Sequence, residues 1–133
     1  MNNVIQTKSY AFAIRIVNAY KFLTNDQKEY VLSKQMLRSG TAIGALVAEA
    51  HHAQSSADFL NKMNVALKEA NETFYWLSLL RDTDYLSEQI YKSISIDCKE
   101  LIALLVSIVK SCLLYTSGCR RYAVCRSRWS PYH

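Results

Sequence analysis

Apolar residues recur every three or four positions through four long stretches of the chain, and short polar breaks separate them. The first stretch predicts a helix from about Asn3 to Leu23, with Tyr10, Ala13, Val17 and Tyr20 as its stripe and Phe12, Ile16 and Leu23 flanking it. Thr24-Asn25-Asp26 is a polar break with good N-cap residues. The second helix is expected from about Gln27 to Ala53, with Val31, Leu32, Met36, Ile43, Leu46, Val47 and Ala50 on its stripe. Gln54-Ser55-Ser56 ends it, and Ser55-x-x-Asp58 resembles a capping box with Asp in place of Glu or Gln. The third helix is expected from about Ala57 to Arg81, with Phe59, Leu60, Met63, Ala66, Leu67, Ala70, Phe74, Leu77 and Leu80 inward. Asp82-Thr83-Asp84 makes a short turn. The fourth helix is expected from about Leu86 to Lys110, with Ile90, Ile94, Cys98, Leu101, Leu105 and Ile108 inward.

Four amphipathic segments joined by short turns predict an all-α, antiparallel up-down-up-down four-helix bundle over residues 1–111. The breakers agree, since Gly40, Gly44 and Gly118 are the only glycines and Pro131 is the only proline. Gly40 and Gly44 lie one turn apart in a run of small residues, Ser39 to Ala45. Each costs about 1 kcal/mol against alanine inside a helix. Close approach of another backbone would offset that cost; a kink near Gly40 is the alternative. From Leu101 to Val109 only Ser107 is polar, and a helix apolar nearly all round is buried on more than one side. Ile102, Val106 and Val109 are therefore expected to face a partner, with Tyr75 and Trp76 adding an aromatic surface. These residues are read as a self-association interface. The alternative is a single bundle whose termini cover the excess.

Charge changes this picture less than its total suggests. The net charge is +5, but residues 1–111 hold twelve Lys and Arg against eleven Asp and Glu. The remaining excess lies in residues 112–133, on Arg120, Arg121, Arg126 and Arg128. A near-neutral body exerts little long-range pull on phosphate. The cysteines divide the same way, with Cys98 in the body and Cys112, Cys119 and Cys125 in the tail. One body cysteine and a polar opening, Met1 to Lys8, give the expectation of a reducing cytoplasmic setting with no signal peptide. Leu101 to Val109 is too short to span a membrane, so no membrane partner is expected.

The tail resembles translated sequencing adapter. Cys112-Leu113-Leu114-Tyr115-Thr116-Ser117 back-translates to TGT CTC TTA TAC ACA TCT, which resembles a transposon end used in library preparation. Val124 to His133 similarly fits the flow-cell adapter that follows such an end. The alternative is a natural basic, cysteine-rich tail. Its zinc-like set, Cys112, Cys119, Cys125 and His133, lacks a C-x2-C knuckle, and its Arg/Trp/Tyr mixture is set aside with it.

Candidate chemistry in the body is thin. Glu49-x-x-His52 is half of the paired motif that di-iron bundles need, and His51 and His52 are the body's only histidines. No metal site is expected. Glu69 and Glu72 lie one turn apart and fit helix–helix ion pairs, with Arg15 or Arg38, better than acid–base work. Cys98 sits at a core position. No phosphate loop, dinucleotide fingerprint or nucleophile elbow is present, so neither catalytic residues, a cofactor nor a small-molecule substrate is expected. Lys21, Lys28, Lys34 and Arg38 give the first hairpin a basic character, repeated by Lys62 and Lys68 in the third helix. A solvated face is the ordinary explanation. In a ring of subunits the same residues would multiply into a belt able to hold nucleic acid.

Arg38-Ser39-Gly40-Thr41-Ala42-Ile43-Gly44-Ala45, Glu49-Ala50, Ser56-Ala57-Asp58-Phe59, Ala66 to Thr73 and Tyr75-Trp76-Leu77 together resemble the bacterial four-helix bundle family, also called the 23S ribosomal RNA intervening sequence protein family, and the resemblance covers roughly Ile5 to Lys110. It implies a small all-helical protein that forms homopentamers. Some members are encoded within ribosomal RNA genes, and a related branch resembles a retroelement accessory protein that binds nucleic acid and a reverse transcriptase. Carried over, Arg38, Ser39, Glu49, Glu69 and Glu72 would be helix–helix or subunit contacts and Asp58 a helix cap, none of them catalytic. The family pattern often has an acid where this chain has Phe74 and a glycine where it has Asp84. The expectation is a non-enzymatic cytoplasmic bundle that self-assembles and binds RNA or a ribonucleoprotein weakly. The alternative is a structural or protein-interaction module without nucleic acid.

Overall fold

The computed structural model describes residues 3–116, with side chains from Val4 to Leu113. It contains α1 (Asn3–Asn25), α2 (Leu32–His51), α3 (Ser56–Asp82) and α4 (Glu88–Thr116), and no strand among the described residues. The tail residues 117–133, including Cys119, Cys125, the four arginines and His133, lie outside this description. α4 runs through Thr116, past the boundary expected at residue 111.

A single core runs through the four helices. α3 buries Met63, Ala66, Ala70, Leu77 and Leu80, as its 3–4 spacing requires. α1 differs from expectation. Ile5, Phe12, Ile16 and Leu23 are buried, whereas Tyr10 is 70% exposed. α1 is apolar round most of its circumference, so two stripes compete. The inward one brings Ile16 and Ser9 onto the glycines of α2. A Cβ on Gly40 would lie 2.8 Å from Ile16 Cγ1, and one on Gly44 would lie 3.3 Å from the Ser9 carbonyl oxygen. The small residues thus let α1 and α2 close together, and α2 is helical straight through Gly40.

Cross-helix pairs fix the register. Lys8 bonds Glu100 at 3.0 Å and Arg15 bonds Asp97 at 2.7 Å, joining α1 to α4. Ser39 Oγ and Thr73 Oγ1 are 2.9 Å apart in the buried α2–α3 seam, and Lys62 lies 3.9 Å from Glu49 nearer its end. Cys98 Sγ donates to the Ala70 carbonyl at 3.4 Å, and the Tyr91 and Ser78 hydroxyls meet at 3.2 Å.

The helix starts are set by side chains that take up free N–H groups. Ser55 Oγ accepts from Asp58 N at 3.1 Å, and Asp58 Oδ2 accepts from Gln54 N at 3.4 Å. The expected capping box therefore forms, with its return bond one residue farther back. Ser87 Oγ accepts from Ile90 N, which starts α4 at Glu88 rather than Leu86; Ile90, expected inward, is exposed, and Tyr91 is buried in its place. Asp84, at φ 70°, takes the left-handed conformation that favours glycine.

Candidate functional site

The corner between α1 and α2 departs most from the sequence expectation. Helix is expected from Gln27, but α2 begins at Leu32. Glu29 causes the delay. Its carboxylate accepts from Val31 N at 3.1 Å, Leu32 N at 2.8 Å and Ser33 N at 2.6 Å. The Ser33 hydroxyl donates back to the Glu29 carbonyl at 2.8 Å. On the other side, Glu29 N donates to the Leu23 carbonyl at 2.9 Å. The connection is therefore tied to the end of α1 and to the start of α2. Making both ties puts Lys28 in the left-handed region, at φ 56°.

These ties decide the charge of the corner. Burial pushes the Glu29 carboxyl up, but the N–H donors of Leu32, Ser33 and Val31, with the Ser33 side chain, outweigh it and hold Glu29 below the usual glutamate range. The carboxylate is ionised but turned inward, and Glu29 is buried. Lys21 lies about 6 Å from the end of α1 along its axis, Lys28 in the connection and Lys34 in the first turn of α2. All three are exposed, and none makes an ion pair with another described residue. Asp26 is the exposed acid among them. Tyr30 and Val31, expected inside the helix, stand 57% and 70% exposed at the same corner. A cleft of ≈ 400 Å³ beside it, lined by Phe22, Gln27, Arg81, Asp84, Leu86 and Glu88 among others, carries acids on its far wall.

Two other cations of the expected basic face, Arg38 and Lys62, are held by acids. Arg38 Nη2 donates to Glu72 Oε2 at 2.5 Å, and Nη1 lies 3.5 Å from Glu69 Oε1. Glu72 also accepts from Trp76 Nε1 at 3.1 Å. That bond foremost, with Arg38, outweighs burial and keeps the Glu72 carboxyl below its usual range, while Glu72 raises Arg38. Glu69 Oε1 is buried with no hydrogen bond among the described residues, so the 3.5 Å contact with Arg38 is its compensation. Of the two expected partners for the glutamates, Arg38 is used. Arg15 instead reaches Asp97 and the Ser93 hydroxyl on α4. Lys62 lies 3.5 Å from Asp58 and 3.9 Å from Glu49.

The residues expected at a subunit interface divide. Tyr75 is 58% exposed and meets Trp76 edge-on, with ring centroids 5.1 Å apart. Ile102 and Val109 are half-buried against the chain's own core, and Val106 is half-buried. More apolar exposure lies on α1, where Tyr10 is joined by Ile14 at 49%. Phe74 packs beside Tyr91 and under Lys99, whose Nζ is 5.4 Å from the ring centroid.

Among the described residues, no three His, Cys, Asp or Glu side chains gather where they could hold a metal ion. His51 and His52 stack edge-on at the exposed end of α2. Burial pushes the Cys98 thiol up to about 12, so it remains a protonated core group. No described helix is long and apolar enough to cross a membrane.

The model of a family described as 23S rRNA-intervening sequence protein matches residues 1–107. A crystal structure of a protein with unknown function from the S23 ribosomal protein family, from Bacteroides thetaiotaomicron VPI-5482, is 60% identical with a TM-score of 0.79. That match covers 80% of this chain and 98% of the other. No curated protein matches the chain.

Proposed function

This chain belongs to the 23S rRNA-intervening sequence protein family, and from that premise we propose that it is a non-enzymatic, self-assembling cytoplasmic bundle that binds RNA, or a ribonucleoprotein, through the α1–α2 corner. The observation that carries the reading is the state of Lys21, Lys28 and Lys34: exposed, without ion pairs to other described residues, and relieved of Glu29, which the backbone has withdrawn. Arg38 and Lys62 on the same face are held by acids of the chain itself, which favours the corner for polyanion binding. The cross-helix pairs support an antiparallel up-down-up-down arrangement, because partner numbers fall on one helix as they rise on the next. Assembly into a homopentamer, as the resemblance implies, would repeat the corner round a ring.

The test is RNA affinity as a function of salt. With Arg120, Arg121, Arg126 and Arg128 changed to Ser, three lysines per chain should make log affinity fall against log salt with a slope of about −2 on single strands and about −3 on duplex. Changing all three to Gln should flatten the slope. Affinity that ignores salt would contradict the reading.

A second reading, a protein-interaction module without nucleic acid, is favoured by the outward apolar side chains of α1, Tyr10 and Ile14. It expects no salt-dependent RNA binding and loss of the partner on Ile14→Asp.

A further inference from the structure

We propose that the α1–α2 corner takes single-stranded RNA, one unpaired base stacking on Tyr30 while Lys28 and Lys34 hold the flanking phosphates. This rests on the RNA-binding reading of the corner and narrows it to one class of ligand.

Tyr30 is 57% exposed at a place where the backbone cannot relax to hide it. The residue before it is tied to Leu23, and the two after it donate to the Glu29 carboxylate. The ring is thus presented from a fixed base, which lowers the entropy lost on binding. Every base has a π-face, so an aromatic ring set among cations binds single strands with little sequence preference. A duplex offers this ring no free base face, since stacked pairs expose only edges, sugars and phosphates.

The charges favour a polyanion over an apolar protein groove. Tyr30 and Val31 are bordered by Lys28 and Lys34, and neither lysine is engaged by a described acid. The start of α2 does not compete for phosphate, because Glu29 already fills it. Asp84 and Glu88 line the cleft toward the α3–α4 turn, so a bound strand would run outward over the first hairpin.

The experiment uses the full chain with Arg120, Arg121, Arg126 and Arg128 changed to Ser, so that tail charge does not mask the corner. Its probes are a labelled oligouridine of about 12 nucleotides and the same strand annealed to oligoadenosine, read by fluorescence anisotropy. Tyr30→Ala should weaken oligouridine binding about tenfold and leave duplex binding unchanged. Tyr30→Phe should bind as the parent does, and circular dichroism should show equal helicity in all three. If Tyr30→Ala binds oligouridine like the parent while Lys28→Glu and Lys34→Glu weaken it, stacking is overturned and the basic corner stands. If the lysine variants are silent too, the corner reading falls with it. Tighter binding to the duplex than to the single strand would also overturn the proposal.

Discussion

The side chain of Ile16 sits where residue 40 would carry a Cβ: Cγ1 and Cγ2 lie 2.8 and 2.9 Å from that position. Both atoms belong to a fully buried side chain, so neither can swing away. Gly40→Ala should gain about 1 kcal/mol of helix propensity and lose about 1–3 kcal/mol to overpacking, a net loss. Gly44→Ala meets its nearest atom at 3.3 Å and should change stability less. Urea unfolding checks both. The Ile16→Ala/Gly40→Ala double variant should be more stable than the sum of its singles by over about 0.5 kcal/mol, because the two share one space.

Glu29 makes stability depend on acid. Its folded carboxyl titrates below the usual value of about 4.3, so its contribution is complete above that value. The contribution should fade as pH drops through the lower folded value. Glu29→Gln should lose about 1–2 kcal/mol near neutral pH, as lost helix caps do. The gap from wild type should close as pH falls below about 4. A gap constant with pH would mean that the charge of Glu29 is idle.

Lys28 and Asp84 both sit at positive φ. The left-handed region costs a side-chain-bearing residue about 1–2 kcal/mol, least for Asp and Asn. Glycine removes that strain but gains unfolded-state entropy worth about 0.5–1 kcal/mol. Lys28→Gly should therefore stabilise by up to about 1 kcal/mol, and Asp84→Gly by less. Lys28→Gly should also weaken RNA binding, so stability and function would move in opposite directions. Thermal melts beside binding curves would show it.

Arg38 and Lys34 lie one turn apart but should differ in use. Arg38 is held by Glu72 and Glu69, whereas Lys34 makes no ion pair with a described residue. Lys34→Ala should reduce RNA affinity more than Arg38→Ala. Arg38→Ala should instead reduce stability, by about 1 kcal/mol or somewhat more, since its loss strands the buried Glu69 Oε1. The reverse ranking in binding would place the phosphate contacts farther along α2.

Much of the bundle was legible because its signals are local. The α3 stripe, the Ser55 cap and the need for close approach at Gly40 and Gly44 follow from spacing and residue size. The α1 face was not, because Tyr10, Ala13 and Val17 compose a second apolar stripe beside Phe12 and Ile16, and only contact with α2 selects between them. The corner is hidden in the sequence for a different reason. Gln27 to Tyr30 is compatible with helix, and Asn25 and Asp26 are better N-cap types than Glu29. An acid just ahead of an apolar stripe was the available clue, since carboxylates favour helix starts. The lysines stand out by charge alone, whereas the sequence pattern puts Tyr30 inside a helix that begins after it.

If the bundle self-assembles and carries RNA, a native mass spectrum of the full chain purified without nuclease should show a pentamer bearing extra mass that ribonuclease removes. A bare monomer would contradict it, removing the ring and its repeated basic corner together.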